Sequence, residues 1–382
     1  MGAAVKSSRV DIVWDLYTSS NIKHSIQTKR QNGGIRRPDL PYKGPIPSDW
    51  NSYLKCNDNK VELFNFLGNA FLNGVMEIQT IVTNIGERIH ATSSSTNLRD
   101  IELRLDEADI RIFCHARDMV VQGITSILIV CMDTDVLVLA ISYFHTFQEI
   151  GLKEMWVMTG TGNKRRFISV GSIAHSLGEK KARALRGFHA FSGCDTTSFL
   201  MGKGKKTLWK TFLNHTEALD AFYEISNPIS PDRVAELLRI FEKFLINVYD
   251  KNSPAKDVNE SRKLLFSKSH KPIQMIPPTS SALLQHTLRT AYQAGEIWSR
   301  GVEDPSKIQV SCPTNYGWKF DNGTWKPLWS VLPSIWEACK DMGACACLKD
   351  CTSLRCSCKR NNLICTLACK NCYEFCENKI IG

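Results

Sequence analysis

No stretch of the 382 residues reaches the roughly 18 consecutive apolar positions that a membrane-spanning helix needs. The opening residues, Met1 to Asp15, lack a long apolar core and soon meet charge, so they do not read as a secretory leader. An intracellular protein is the expectation. There is no internal repeat and no long low-complexity segment, which argues against a solenoid or a disordered tail. Outside one short block cysteine is thin: Cys56, Cys114, Cys131, Cys194, Cys312 and Cys339 are scattered through the first 339 positions. In a reducing compartment such isolated thiols do not build a disulfide framework.

What is present is a globular composition, with 43% hydrophobic and 23% charged residues, in a chain long enough for two or three folding units. The net charge of +10 favours polyanionic partners, although ordinary solubility explains it equally well. Val10 to Asp15 has the pattern of a short strand ending on an acid. A basic, proline-punctuated stretch follows between Lys23 and Pro47, read as loop. Residues 60–74 have helical spacing and 78–83 suit a strand. Glu107 to Val121 carries an apolar face of helical period. The run Ser126 to Cys131 is continuously apolar, as in a strand buried on both faces of a parallel sheet. Lys153 to Met158 suits another strand. Helix, buried strand, helix, strand is the grammar of a doubly wound α/β sheet. Beyond residue 215 the pattern turns helical, over Leu237 to Val248 and Ala282 to Trp298. Residues 305–338 are irregular and tryptophan-rich. The expected division is 1–214, an α/β domain; 215–304, a helical extension; 305–338, a linker; and 339–382, a cysteine-rich domain.

Acidic residues gather where strands should end: Asp15, Glu107 with Asp109, Asp133 with Asp135, and Asp195 in Gly193-Cys194-Asp195. The carboxyl edge of an open α/β sheet is where ligands bind. Carboxylates collected there repel one another unless a cation neutralises them, and hard oxygen ligands suit one or two Mg²⁺ or Mn²⁺ ions. Each acid alone has a plainer reading: Asp133 or Asp109 would also serve as a helix N-cap.

In order and wording these motifs resemble the flap-endonuclease and XPG-type nucleases over residues 10–210. The matching elements are Glu107-Ala108-Asp109 opening a helix, Asp133-Thr134-Asp135 after an apolar strand, and Gly193-Cys194-Asp195 before a glycine-rich turn. The resemblance implies a PIN-like parallel sheet flanked by helices. It implies metal binding by the six acids, with Lys23 and Arg30 touching the scissile phosphate. It further implies that the turn Gly202-Lys203-Gly204-Lys205-Lys206 grips nucleic-acid backbone, where glycines admit the phosphate and lysines supply charge. The family carries one more metal-binding aspartate on an earlier strand. Nine residues precede Val10 here and none is acidic, so an enzyme and a catalytically inactive DNA-binding or chromatin-associated protein both stay open.

The remaining nine cysteines are Cys345, Cys347, Cys351, Cys356, Cys358, Cys365, Cys369, Cys372 and Cys376. A segment this short with few other apolar residues needs metal or disulfides to fold, and zinc with tetrahedral thiolate ligation is the first candidate. Nine thiolates provide the twelve bonds that three ions need if three of them bridge; two ions with a spare cysteine is the other arrangement. The spacing resembles the tesmin-type CXC domain, a three-zinc cluster that often binds DNA. By that likeness Arg355 would enter a narrow minor groove, and Lys359 and Arg360 would meet phosphates. A purely structural zinc knot is the plainer reading. Together the motifs point to a nuclear protein with a nucleic-acid partner, DNA first. The pairing also fits a product of a mobile element.

Overall fold

The computed structural model describes residues 7–17, 22–23, 47–74, 80–93, 98, 107–269, 273–304, 308–330, 345–348, 350–365, 369, 372 and 376–378. Two units result, Met1–Trp329 and Ser330–Gly382.

In the first unit, β1 (Arg9–Ile12) is followed by α1 (Trp50–Lys55), α2 (Asn57–Asn73), β2 (Thr80–Ile85) and β3 (Arg88–Ala91). β1 pairs parallel with β2, and β2 antiparallel with β3. Helix α2 lies against β2, where Gly68 lets the two backbones approach: a Cβ there would stand 3.4 Å from the Asn84 carbonyl. Next come α3 (Ala108–Val121), β4 (Ser126–Val130), α4 (Thr134–Glu149), β5 (Glu154–Thr159), β6 (Arg166–Ser169), α5 (Val170–Leu177) and α6 (Glu179–Phe191). β4 pairs parallel with β5, and β5 antiparallel with β6.

The sheet therefore departs from expectation. Two three-stranded mixed sheets stand in place of one continuous parallel sheet, and no pairing joins β1 to β4 among the described residues. Nor is β4 buried on both faces: Ile127 and Ile129 are buried, whereas Leu128 is 40% and Val130 63% exposed. The coarser expectation holds, since small sheets are flanked by helices in a mixed α/β arrangement. Ile110, Phe113, Leu139, Phe144, Phe147 and Val157 are among the residues filling the core between β4, β5 and their helices.

The helical residues after 200 comprise α7 (Lys205–Phe212), α8 (Thr216–Glu224), α9 (Pro231–Glu236), α10 (Leu238–Tyr249), α11 (Val258–Ser269) and α12 (Ser280–Ala291). An aromatic cluster of Phe188, Phe191, Phe212, Phe222, Phe241 and Phe244 ties α6 to α7, α8 and α10. The expected helix over Ala282 to Trp298 changes pitch midway. α12 gives way to a π-helix, Tyr292–Ile297, then a 3₁₀ turn, Trp298–Val302. Widened turns of this kind concentrate at functional sites. The tryptophan-rich stretch forms a hairpin, β7 (Trp318–Asp321) and β8 (Thr324–Pro327), with Trp318 buried. Arg289 of α12 donates to the Gly317 and Leu328 carbonyls and so fixes the hairpin within the first unit.

In the second unit the core is sulfur. Eight buried cysteines cluster with Cys347 and Leu363 against them, and α13 (Ser357–Arg360) is its one described helix.

Candidate functional site

Two strands and one helix define the acidic edge. Arg9 donates to Asp118 at 2.6 Å, Asp11 meets His115 at 2.7 Å, Arg111 donates to the Trp14 carbonyl, and the Ala108 amide donates to Asp15 at 3.2 Å. Read in order, those contacts run β1 antiparallel to α3. β4 leaves the end of α3 through a short turn closed by the Ile124 amide on the Met119 carbonyl. Beyond its end at Val130 the chain reaches Asp133, whose charge acts on Asp109 at the helix start. Both strands thus run the same way and deliver Asp15 and Asp133 to the N-terminus of α3, where Glu107 and Asp109 sit. Helix N-termini also stabilise negative charge there.

Lys23 is the hub. Its ammonium lies 3.1 Å from Asp109, with both side chains 17% exposed. Burial opposes that charge, but the carboxylates of Glu107, Asp109 and Asp15 outweigh it and hold the lysine above its ordinary pKa. Burial pushes Glu107 up to about 7, with further repulsion from Asp109 and Asp15. Asp109 is raised as well, burial first, with Asp15 and Asp133 adding repulsion. Asp135 goes the other way: its bond to His189, at 2.8 Å, together with the charges of Lys205 and Lys23, overcomes burial and lowers it. Asp133, Asp135 and Asp195 share a cleft of about 260 Å³ with Gly193, Cys194, Thr197 and Phe199.

The structure therefore brings Asp15, Glu107, Asp109, Asp133 and Lys23 to one edge, and groups Asp135 and Asp195 with Asp133 in the adjoining cleft. Arg30 lies outside the described residues. Two of the plainer roles are realised at the same time. Asp133 N-caps α4 by accepting from the Asp135 amide at 2.9 Å, and Asp15 satisfies a free amide of α3. Among the described residues, the groups whose metal-ligand atoms all lie within 4.8 Å of one another consist of cysteines alone. The carboxylates are neighbours in charge but are not closed into such a group.

The loop after α6 depends on one glycine. Gly193 has φ +109°, and a Cβ there would stand 3.0 Å from Phe199. Lys205 holds the loop from the other side by donating to the His189 carbonyl at 3.0 Å, to Ser192 at 3.0 Å and to the Gly193 carbonyl. Lys203 donates to the Val248 carbonyl at 3.0 Å and lies over the Tyr249 ring. Two of the lysines expected to meet phosphate are thus turned onto the protein, while Lys206 is exposed. Gly202, at φ +70°, faces Met275; Gly204 has an ordinary extended conformation at the N-cap of α7.

Sequence reasoning missed Gln293. The π-helix presents it between two of the motifs: its amide nitrogen stands 3.4 Å and 3.5 Å from the Glu107 oxygens, and its carbonyl accepts from Thr196 at 2.7 Å. No periodicity marks a widened turn, so no signal in the sequence could have found it. His189 had only its nearness to the motifs.

In the second unit, four overlapping groups of four sulfurs include all nine cysteines. Sulfur separations are 3.3 Å for Cys345–Cys372, 3.7 Å for Cys345–Cys351 and Cys358–Cys369, and 3.9 Å for Cys356–Cys365. Thiolates 2.3 Å from a tetrahedral zinc stand ~3.8 Å apart, so this spacing suits shared metal ions and is far too long for disulfides. The cluster could hold a metal such as zinc. Arg355 and Arg360 are exposed, while Lys359 donates to the Thr352 carbonyl across its own loop.

No described helix is long and apolar enough to cross a membrane. Comparison with protein-family models, with curated proteins and with solved structures finds no match.

Proposed function

We propose that the chain is a divalent-metal-dependent nuclease acting on structured nucleic acid, with a zinc-cluster module that engages DNA. The observation that carries this reading is the convergence of Asp15, Glu107 and Asp109 on the half-buried Lys23 ammonium, with Asp133 acting on Asp109 and opening the Asp135–Asp195 cleft beside them. The donor set consists of carboxylate oxygens, the chemistry that Mg²⁺ or Mn²⁺ requires. Burial that pushes Glu107 up to about 7 marks a carboxylate short of positive charge. When bound, such an ion lowers the pKa of water and stabilises charge on a phosphodiester's oxygens.

The chain's own residues supply the rest. Asp15, Glu107, Asp109, Asp133, Asp135 and Asp195 would hold one or two ions. Lys23 would pass from Asp109 to the scissile phosphate as the acids find another cation. His189 orients Asp135, and Gln293 orients Glu107. Lys206 extends a positive charge to the backbone of the substrate. In the zinc unit, the exposed Arg355 and Arg360 would meet DNA, three ions would satisfy nine cysteines, and a nuclear location follows.

One observation favours a second reading. The acids do not close into a three-ligand group, and Lys23 already neutralises part of the set, as it would in an inactive DNA-binding or chromatin-associated protein on a nuclease-like site.

Labelled flap and hairpin DNA incubated with the full chain in Mg²⁺ or Mn²⁺ separates the two. Cleavage that disappears in Asp133→Ala/Asp135→Ala supports the enzyme. Salt-sensitive binding without cleavage, lost when 330–382 are deleted, overturns it in favour of the binding protein.

A further inference from the structure

β1 and β4 run in the same direction over α3, yet among the described residues each bonds a neighbouring strand on one side only, β1 to β2 and β4 to β5. Between their open edges lies a cavity of about 650 Å³. Residues 7–13 form one wall and 126–130 the other; Ile112, His115, Ala116, Met119 and Ile124 form the floor. Among the described residues, the first unit therefore has a slot flanked by the strand edges of 9–12 and 126–130, neither of which pairs with another strand on that side.

We infer that this slot is a docking site for one extended strand of a partner polypeptide, about five residues long, running between β1 and β4. Four observations fix the chemistry of the occupant. Two facing rows of strand N–H and C=O groups match, on both sides at once, the alternating donors and acceptors of a peptide backbone in extended form, the mode of recognition by strand addition. The five residues of β4 set the length at ~17 Å. Asp11, the acid in the slot wall, is already engaged by Arg9 at 2.7 Å and by His115 at 2.7 Å, so it offers no free charge to the occupant, whose inward side chains are uncharged. Apolar side chains at alternate positions match Ile112, Ala116 and Met119, whereas His115 Nε2 is buried with no hydrogen-bond partner among the described residues and calls for one polar group above it.

The sequence of β4 supports the same conclusion independently. Ile127-Leu128-Ile129-Val130 is composed for burial on both faces, yet Leu128 and Val130 are exposed in this chain alone. A strand seated beside β4 brings side chains of its own next to both. It would also join the two small sheets into one seven-stranded sheet.

The test uses the full chain and amide hydrogen exchange. Random seven-residue peptides are selected against the chain, and enriched sequences are synthesised with and without N-methylation of alternate residues. The expected result is that enriched peptides alternate apolar and other residues. At 100 times Kd they slow exchange about 100-fold at the alternate amides of 9–12 and 126–130 that do not face β2 or β5. The outer edges at β3 and β6 should be unaffected, and N-methylated versions should be inert. Three results overturn the inference: protection of both strands in the chain alone, enrichment of peptides that protect other edges, or no enrichment.

Discussion

Replacing Cys345 should have a far larger effect than replacing Cys347, although both are cysteines of one block. Cys345 is buried and belongs to three of the four four-sulfur groups; Cys347 is half-buried and belongs to one. The unit has almost no other apolar core, since Leu363 is the one described apolar side chain other than cysteine packed on the sulfurs. A structural zinc contributes ~10–16 kcal/mol of apparent binding energy at neutral pH, as much as the ~5–15 kcal/mol that holds a whole domain together. Loss of a shared thiolate therefore removes more than the unit has in reserve, while loss of a peripheral one weakens a single ion. Native mass spectrometry of the full chain should show three zinc ions in the wild type. Cys347→Ser should keep at least two and resist proteolysis between 345 and 376. Cys345→Ser should lose zinc cooperatively and be cut throughout that span, as should the wild type after prolonged chelation. Equal zinc content and equal protease resistance in the two variants would refute the reasoning, as would a wild-type chain that stays protected without metal.

Glu107 gives a pH-dependent prediction. Its folded pKa, about 7 against an ordinary 4.5, means that the folded state favours the protonated acid. The associated stability is present below pH 4.5 and is lost as pH rises to 7. A shift of about 2.5 units corresponds to roughly 3 kcal/mol. Glu107→Gln should therefore match the wild type in urea unfolding at pH 4.5 and exceed it by up to that amount at pH 8 without added Mg²⁺ or Mn²⁺. A stability difference that does not change with pH would count against it. Gly193→Ala forces a side chain into φ +109° and against Phe199. It should cost about 1–3 kcal/mol by thermal or urea unfolding and open the Asp135–Asp195 cleft, whereas Gly204→Ala, with an ordinary φ and open space around it, should be close to neutral.

Local pattern in the sequence was enough to place α2, α3, β4, β5 and α10, because apolar periodicity and turn residues act over a few neighbours. It also located the acids at strand ends and the sulfur core, since nine thiols in so short a block leave no other chemistry. It could not say whether β1 and β4 touch. Strand pairing is a long-range choice, and an apolar run reads the same whether its neighbour is another strand or an empty slot. Nor could it foresee that Lys203 and Lys205 turn onto carbonyls of α6 and α10, or that Lys23 settles among the acids. A lysine's reach is decided by what the fold brings within a few ångströms of it. The tertiary structure alone placed Gln293 between Glu107 and Thr196, because the π-helix that aims it has no repeat in sequence. The residue types fixed which chemistry was possible at each position; the packing of α3, α6 and α12 decided which side chains meet.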